Sequence, residues 1–202
     1  MLPYRNTDSI RKVRRNLSRQ FKREKAEFVL SLAKILIDKY DLTWFAYELI
    51  KNHKEAFERL DQKQLEALGT RMNSWDTVDS FARILSGPAW LRKQISDETV
   101  KKWATSNNLW WRRAALVSTV ALNTRSQGGK GDVSRTLSIC TLLSNDHEGM
   151  VEKGMSWALR KLVVHDPKAV QQFLDRHKST LSFKVKREVK NKLQTGLKNP
   201  KK

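Results

Sequence analysis

Hydrophobic residues recur along this chain at spacings of three and four, which is the pattern of helices with one apolar face. A clear example runs from Phe28 through Leu32 to Ile35 and Leu36. Glycine and proline number only 8 and 4 in 202 residues, and no alternating stretch of β-branched residues favours a strand. The pattern predicts an all-α protein, with helices over 8–22, 25–39, 42–53, 61–69, 76–86, 97–105, 108–122, 132–143, 148–164, 167–177 and 182–196.

Residues that commonly end or begin helices separate these segments. The predicted breaks are at Asp41, Gly87–Pro88, Ser106–Asn107, residues 128–131 and Asp166–Pro167. Short helices of similar length without a strong sequence repeat are typical of a degenerate solenoid of HEAT-like helix pairs, which curves and offers a concave face. We expect one such domain over residues 1–196, followed by a basic tail over 197–202.

The charge of the chain is strongly positive and unevenly placed. Lys and Arg number 40 against 21 Asp and Glu, a formal net charge of +19. Residues 1–25 and 178–202 carry +7 and +8 of it, whereas the 152 residues between them carry only +4. Two basic ends that face one groove would bind the phosphate backbone of a nucleic acid. An anionic membrane surface is the main competing partner on charge alone.

Other features exclude several classes of protein. Cys140 is the only cysteine, so an intramolecular disulfide and a cysteine-based metal cluster are excluded. No apolar run approaches the roughly 20 residues of a membrane span. The N-terminal residues lack the apolar stretch of a secretory signal, and we expect a cytoplasmic protein.

A first segment that could support chemistry is Asn73-Ser74-Trp75-Asp76-Thr77-Val78-Asp79. On a helix, Trp75 and Asp79 lie one turn apart on the same face. Ser74 or Asp76 can cap that helix, so Asp79 is not needed as a cap. The plain interpretation is that Trp75 packs in the core and Asp79 pairs with a basic neighbour. However, a carboxylate in a groove that binds phosphates weakens binding, so its presence there points to chemistry.

Two further segments combine tryptophan with arginine. In the first, Asn108 to Ala115, Trp110 precedes Arg112 and Arg113, which occupy successive positions and cannot point the same way. In the second, Gly154 to Lys161, Trp157 lies one turn before a basic pair, and ordinary helix packing is its plain interpretation. Trp44 and Trp103, which lie among apolar neighbours, are predicted to be core residues.

In this order, the three segments resemble the AlkD family of DNA alkylation repair glycosylases, which are built from HEAT-like helix pairs. The resemblance runs from about Tyr4 to Leu193. The family element W-D-[ST]-V-D is matched at every position by residues 75–79, and N-x-W-x-x-R-A-A is matched by residues 108–115. The element G-W-x-L-R is approximated by residues 156–160, with Ser156 in place of glycine. Relative to the family, the chain is expected to be short at its N-terminus.

The resemblance implies a site and a substrate. Trp75, Asp79 and Trp157 would line the site against the damaged nucleotide, and Arg113 would hold the DNA backbone. A concave basic groove would bind double-stranded DNA with the help of further candidates, which are Trp110, Arg112, Arg160, Lys161, Lys184, Lys186 and Arg187. The protein would be a monomer that needs no metal or organic cofactor.

The implied reaction is hydrolysis of the N-glycosidic bond of a purine alkylated at N3 or N7. Such a base is already cationic and departs without protonation, so Asp79 would stabilise the positive sugar and orient a water. Two alternatives stay open from the residues. One is an inactive HEAT-like DNA-binding protein in which Asp79 is a structural ion pair, and the other is a helical scaffold for RNA or acidic proteins.

Overall fold

A computed structural model describes residues 7–200. The first six residues of the expected domain and the last two of the expected tail lie outside the described residues. All regular secondary structure in the described residues is helical, without a strand, and the chain groups into two compact units, Met1–Met72 and Asn73–Lys202. The expectation of one domain over residues 1–196 does not anticipate this division.

The described part of the first unit contains five α-helices. They are α1 (Thr7–Gln20), α2 (Ala26–Tyr40), α3 (Thr43–Lys51), α4 (Lys54–Glu58) and α5 (Gln62–Leu68). Helix α3 packs against α1, α2 and α4, and its apolar side chains form the centre of this unit. The short helix α4 falls in a stretch for which the sequence pattern predicts no helix. It begins at His53, whose ring accepts a hydrogen bond from the backbone N–H of Ala56 at 3.0 Å.

The second unit contains eight α-helices in the part of the chain described. They are α6 (Trp75–Phe81), α7 (Gly87–Leu91), α8 (Asp97–Ala104), α9 (Leu109–Leu122), α10 (Val133–Leu142), α11 (Gly149–Leu162), α12 (Pro167–Arg176) and α13 (Phe183–Thr195). Helix α9 is central, because α6, α7, α8, α10 and α11 all pack against it. Every residue from Arg113 to Leu122 is buried.

Most of the predicted helix ends are confirmed, and local chemistry explains them. Asp41 follows α2 in the left-handed conformation, with φ 54°, which ends a helix. Asn108 and Asp166 cap α9 and α12, accepting hydrogen bonds from the backbone N–H groups of Trp110 and Ala169 at 2.8 Å. These caps depend on residues next to the helix, which is why the sequence predicts them.

The predicted break at Gly87–Pro88 is wrong. Helix α6 continues through a π-helical segment, Ala82–Ser86, directly into α7. Pro88 lies at the start of α7, directly after the π-helical segment, and has no backbone N–H to donate to the preceding turn. Gly87 lies so close to α9 that an added Cβ would be 2.8 Å from the Ala121 Cβ. Here glycine permits close packing of two helices.

The structure also shows the burial of the two predicted core tryptophans and the path of the chain after α13. Trp103 is buried, whereas Trp44 is only half-buried. Helix α13 ends at Gly196, and the chain then turns back so that the Lys198 Nζ lies 3.4 Å from Glu188 Oε1. Among the described helices, none has both the length and the apolar content that crossing a membrane requires.

Candidate active site

The continuous helical stretch that begins at Ser74 positions the first group of candidate residues. Ser74 is the N-cap of α6, and its backbone N–H donates to the Thr77 hydroxyl at 3.3 Å. Trp75 is the first helical residue, and Asp79 follows one turn later, as the spacing predicts. The indole of Trp75 is not a core side chain, because the residue is 58% exposed. The exposed ring leaves an aromatic surface accessible at the start of α6.

Asp79 forms a two-pronged ion pair with Arg113 of helix α9. The Nε and Nη2 groups of Arg113 donate to the two carboxylate oxygens, each at 2.9 Å. The Nη1 group donates to the backbone carbonyl of Met150 at 2.5 Å, which ties the pair to α11. The side chains of Arg113 and Asp79 are only 5% and 15% exposed. Three helices therefore fix the position of one carboxylate.

The position of Arg113 corrects the role expected for it. A residue that grips a DNA phosphate must present its guanidinium to solvent, but Arg113 is buried and all three of its nitrogen groups already donate hydrogen bonds. We therefore assign Arg113 to Asp79 instead of to the backbone of DNA. The expectation that Arg112 points elsewhere is confirmed, since its Nε donates to Asp146 at 2.6 Å.

Two opposing effects act on the acidity of Asp79. Burial raises the pKa of Asp79, and the hydrogen bonds and charge of Arg113, together with the charge of Arg83, oppose that rise. The pKa remains above the ordinary value of an aspartate. The paired N–H groups are nevertheless arranged to bind an ionised carboxylate, each of whose oxygens keeps a further lone pair for a water molecule.

Trp157 of helix α11 joins the same region through Arg83. Its indole is half-buried and packs against a cluster formed by Ala82, Val117 and Val120. The guanidinium carbon of Arg83 lies 5.6 Å from the centroid of the Trp157 ring, which is cation–π distance. Because Arg83 also acts electrostatically on Asp79, the carboxylate and the indole share one cationic neighbour.

One remaining candidate of the third segment, Arg160, belongs to a polar network beside Trp157. Ser156 donates to Glu188 of helix α13 at 2.6 Å, and the Arg160 Nε donates to the Ser156 hydroxyl at 3.1 Å. Glu188 is buried, and its second oxygen pairs with Lys198. Arg160 is therefore partly engaged within the protein, whereas Lys161 is half-buried and takes no part in the contacts that the structure describes for this network.

The other predicted DNA-binding residues are distributed over the second unit. Trp110 and Lys184 are half-buried, and Arg187 is exposed with its guanidinium 5.9 Å from the Phe183 ring. The Lys186 Nζ donates to the carbonyl of Lys178 at 2.8 Å. The structure does not join these residues to Asp79 by any contact that it describes. Their role in DNA binding stays a prediction.

Sequence reasoning missed Arg83. The residue follows Asp79 by four positions, as Asp79 follows Trp75, so the same helical spacing that linked the first two extends to it. Arg83 lies within the predicted helix 76–86, but it belongs to none of the matched elements. Gln127, from the loop after α9, donates to the Arg83 carbonyl at 2.9 Å and holds the segment in place.

The fold and the site together define the class of protein. It is a helical-repeat protein in which a buried arginine binds a carboxylate close to exposed aromatic and cationic side chains. The family model described as "DNA alkylation repair enzyme" matches residues 6–193, and the chain belongs to that family. Its role is therefore in DNA alkylation repair, with DNA as the implied substrate.

A solved structure agrees with this fold. It is described as a predicted DNA alkylation repair enzyme from Enterococcus faecalis, with a TM-score of 0.74 and 16% sequence identity over 94% of this chain and 87% of that one. At that identity the similarity concerns the fold alone. No curated protein matches the sequence.

Proposed function

We propose that this protein is a monofunctional DNA glycosylase that removes cationic N3- or N7-alkylated purines from duplex DNA. The observation that supports the proposal is the carboxylate of Asp79, which Arg113 fixes within one helical turn of the exposed Trp75. A partly buried carboxylate loses part of its hydration, which costs free energy. Catalysis at the accessible edge of Asp79 would explain why a protein of net charge +19 retains this carboxylate.

In the proposed reaction, the bond between C1′ of the deoxyribose and the purine nitrogen breaks first. Its electron pair stays with the base, which becomes neutral and leaves, while positive charge develops on the sugar. The Asp79 carboxylate stabilises that charge and accepts a hydrogen bond from water through a free lone pair. The water oxygen then bonds to C1′, and its proton passes to Asp79 or to solvent.

The aromatic side chains supply selectivity for charged bases. Trp75 and Trp157 would contact the sugar and the cationic purine, each contributing about 0.5–2 kcal/mol through cation–π and apolar contact. These contacts weaken for a neutral base, so base edges need not be read and full base flipping is unnecessary. No lysine of the three matched elements is placed to form a Schiff base, so the reaction stops at an abasic site.

The test compares two neighbouring carboxylates of one helix. Asp79→Asn keeps the size of the side chain and removes its charge, and Asp76→Asn makes the same change at an exposed position one residue after Trp75. We expect Asp79→Asn to slow release of 7-methylguanine or 3-methyladenine from methylated duplex by about 10²–10³-fold or more. Asp76→Asn should retain nearly the full rate.

The measurement is mass detection of free bases under single-turnover conditions, with binding to the same duplex measured in parallel. Duplex binding by Asp79→Asn should be unchanged or tighter, because a negative charge near phosphates is lost. Thermal melts of both variants establish that they are folded. Release at the wild-type rate by folded Asp79→Asn would overturn the proposal.

A second candidate function is an inactive helical-repeat protein that binds DNA. The observation that favours it is that Arg113 donates a hydrogen bond to each of the two Asp79 oxygens, which is the geometry of a structural ion pair. This candidate predicts that the wild-type protein binds methylated and unmethylated duplex equally and releases no base. The same base-release assay therefore separates the two functions.

A further inference from the structure

Arg83 is an exposed arginine of the second unit. It belongs to the π-helical segment Ala82–Ser86, one turn after Asp79. Its carbonyl accepts a hydrogen bond from Gln127, and its guanidinium lies over the Trp157 ring. It forms no ion pair within the part of the chain that the structure describes. π-Helical turns are rare and occur frequently at functional sites.

The charge of Arg83 also acts on Asp79. Arg113 pairs with the carboxylate through two hydrogen bonds, and Arg83 and Asp76 add charges of opposite sign that act on it. The positive charge of Arg83 repels a cationic base and opposes the positive charge that develops on the sugar.

The position of Arg83 also conflicts with substrate binding. A guanidinium and an alkylated purine are both flat cations, and both are attracted to the face of an indole. The half-buried Trp157, packed against Ala82, Val117 and Val120, has limited exposed surface to offer. A cationic base that stacks on this exposed surface must therefore displace Arg83.

We propose that Arg83 is a resident cation that covers Trp157 in the free protein and moves to a DNA phosphate when a cationic purine takes its place. This inference rests on the proposed function, because it assumes that Trp157 receives the damaged base. The exchange moves the charge of Arg83 away from Asp79 and gains a phosphate contact in the same movement. Arg83 is then a specificity-determining residue that selects for a base able to replace a cation.

The first measurement concerns the Trp157 face and uses small molecules. Binding of 7-methylguanosine, under mildly acidic conditions where its base is cationic, is compared with binding of guanosine by NMR titration. We expect Arg83→Ala to raise the preference for the cation by about two- to fivefold, the range that an exposed cation–π contact implies. Arg83→Lys should give a smaller rise, because it keeps a charge near the ring.

A double-mutant comparison ties that effect to Trp157. In a Trp157→Ala background the change Arg83→Ala should no longer alter the preference for the cation, because the shared ring is absent. An unchanged or lower preference in Arg83→Ala, or the same gain without Trp157, would overturn the proposal. Thermal melts identify any variant that has lost its fold, and Arg83→Gln, which keeps the length of the side chain, then replaces Arg83→Ala.

The second measurement concerns the phosphate. The dependence of duplex affinity on salt concentration should become shallower by about 0.9 in log–log slope when Arg83 becomes alanine, as expected for one lost phosphate contact. Arg176→Ala removes an exposed arginine at the end of α12 and controls for the loss of one charge. A slope in Arg83→Ala that equals the wild-type slope would contradict the exchange.

Both measurements are independent of bond cleavage. If the protein released no base but showed the expected cation preference and salt slope, the proposed glycosylase activity would fail while the role of Arg83 remained. If it released base while Arg83→Ala left both measurements unchanged, only the role of Arg83 would fail.

Discussion

Asp79 combines a buried position with a strong partner, and this combination gives the site a defined dependence on pH. Burial raises the pKa of Asp79, while Arg113 acts in the opposite direction. The proposed reaction needs the ionised carboxylate. Because the pKa is raised, protonation begins at a higher pH than for an ordinary aspartate, and activity is lost as the pH falls through that value.

We therefore expect the rate of base release to decline on the acid side at a pH above the ordinary aspartate pKa of about 3.9. Arg113→Ala should move the decline to still higher pH, because the hydrogen bonds and positive charge that favour the ionised form are removed. The same variant should lose about 3 kcal/mol of unfolding free energy, since it leaves a buried carboxylate unpaired.

Single-turnover rates across pH, corrected for spontaneous base loss, and urea denaturation measure these effects. Arg112→Ala is the matched control. It removes the arginine next to Arg113 and so breaks the ion pair between Arg112 and Asp146, but it leaves Asp79 bound to Arg113. A decline at the same pH in wild type and Arg113→Ala would show that Asp79 is not the group being titrated.

At the scale of the elements, the site depends on the uninterrupted passage from α6 through the π-helical segment into α7. Gly87 makes this passage possible, because an added Cβ would lie 2.7–2.8 Å from the Ala82 carbonyl, the Ser118 carbonyl and the Ala121 Cβ. Two of these atoms belong to the backbone and cannot turn away. Substitution at Gly87 must therefore shift α7 against α9.

We expect Gly87→Ala to lower the free energy of unfolding by about 1–3 kcal/mol, the range found for overpacking in a close-packed interior. Gly149→Ala, where an added Cβ meets nothing within 4 Å at the start of α11, should be neutral or slightly stabilising. Urea denaturation of the two variants provides the comparison. Equal stability would mean that α7 and α9 have more freedom to separate than their packing indicates.

In the same elements, local sequence predicts some features of the site, and helix packing determines the others. The ends of α2, α9 and α12 follow from local caps, and Trp75 and Asp79 share a face because they are one helical turn apart. The partner of Asp79 is not local. Arg113 lies 34 residues away, and only the packing of α6 on α9 brings the two together, so its expected role was different.

At Gly87–Pro88, the prediction of secondary structure fails for a similar reason. Glycine followed by proline is a local signal for a break, and here tertiary packing reverses its meaning. Arg83 lies within the predicted helix 76–86, but its contact with Trp157 depends on packing against α11. The sequence therefore predicts the members of the site that belong to one motif and misses those whose purpose depends on a neighbouring helix.

At the scale of the whole molecule, each of the two compact units contains a cluster of basic side chains. In the first, basic side chains of α1 and the start of α4 line a cavity of about 650 Å³ together with two glutamates. In the second, α13 carries a basic surface that includes Lys184 and Arg187. If both ends of the chain bind the phosphate backbone, each must contribute separately to the dependence of affinity on salt.

This requirement leads to a comparison of two double variants, Arg15→Gln with Arg19→Gln in α1 and Lys184→Gln with Arg187→Gln in α13. Each should reduce the log–log salt slope of duplex binding by about 1.8, because two phosphate contacts are lost. Rates of base release at saturating protein should be unchanged, since neither pair touches Asp79. If only one double variant altered the slope, the other basic end would not be a DNA contact. Its charge would then serve solubility alone, and the binding surface would be confined to a single unit.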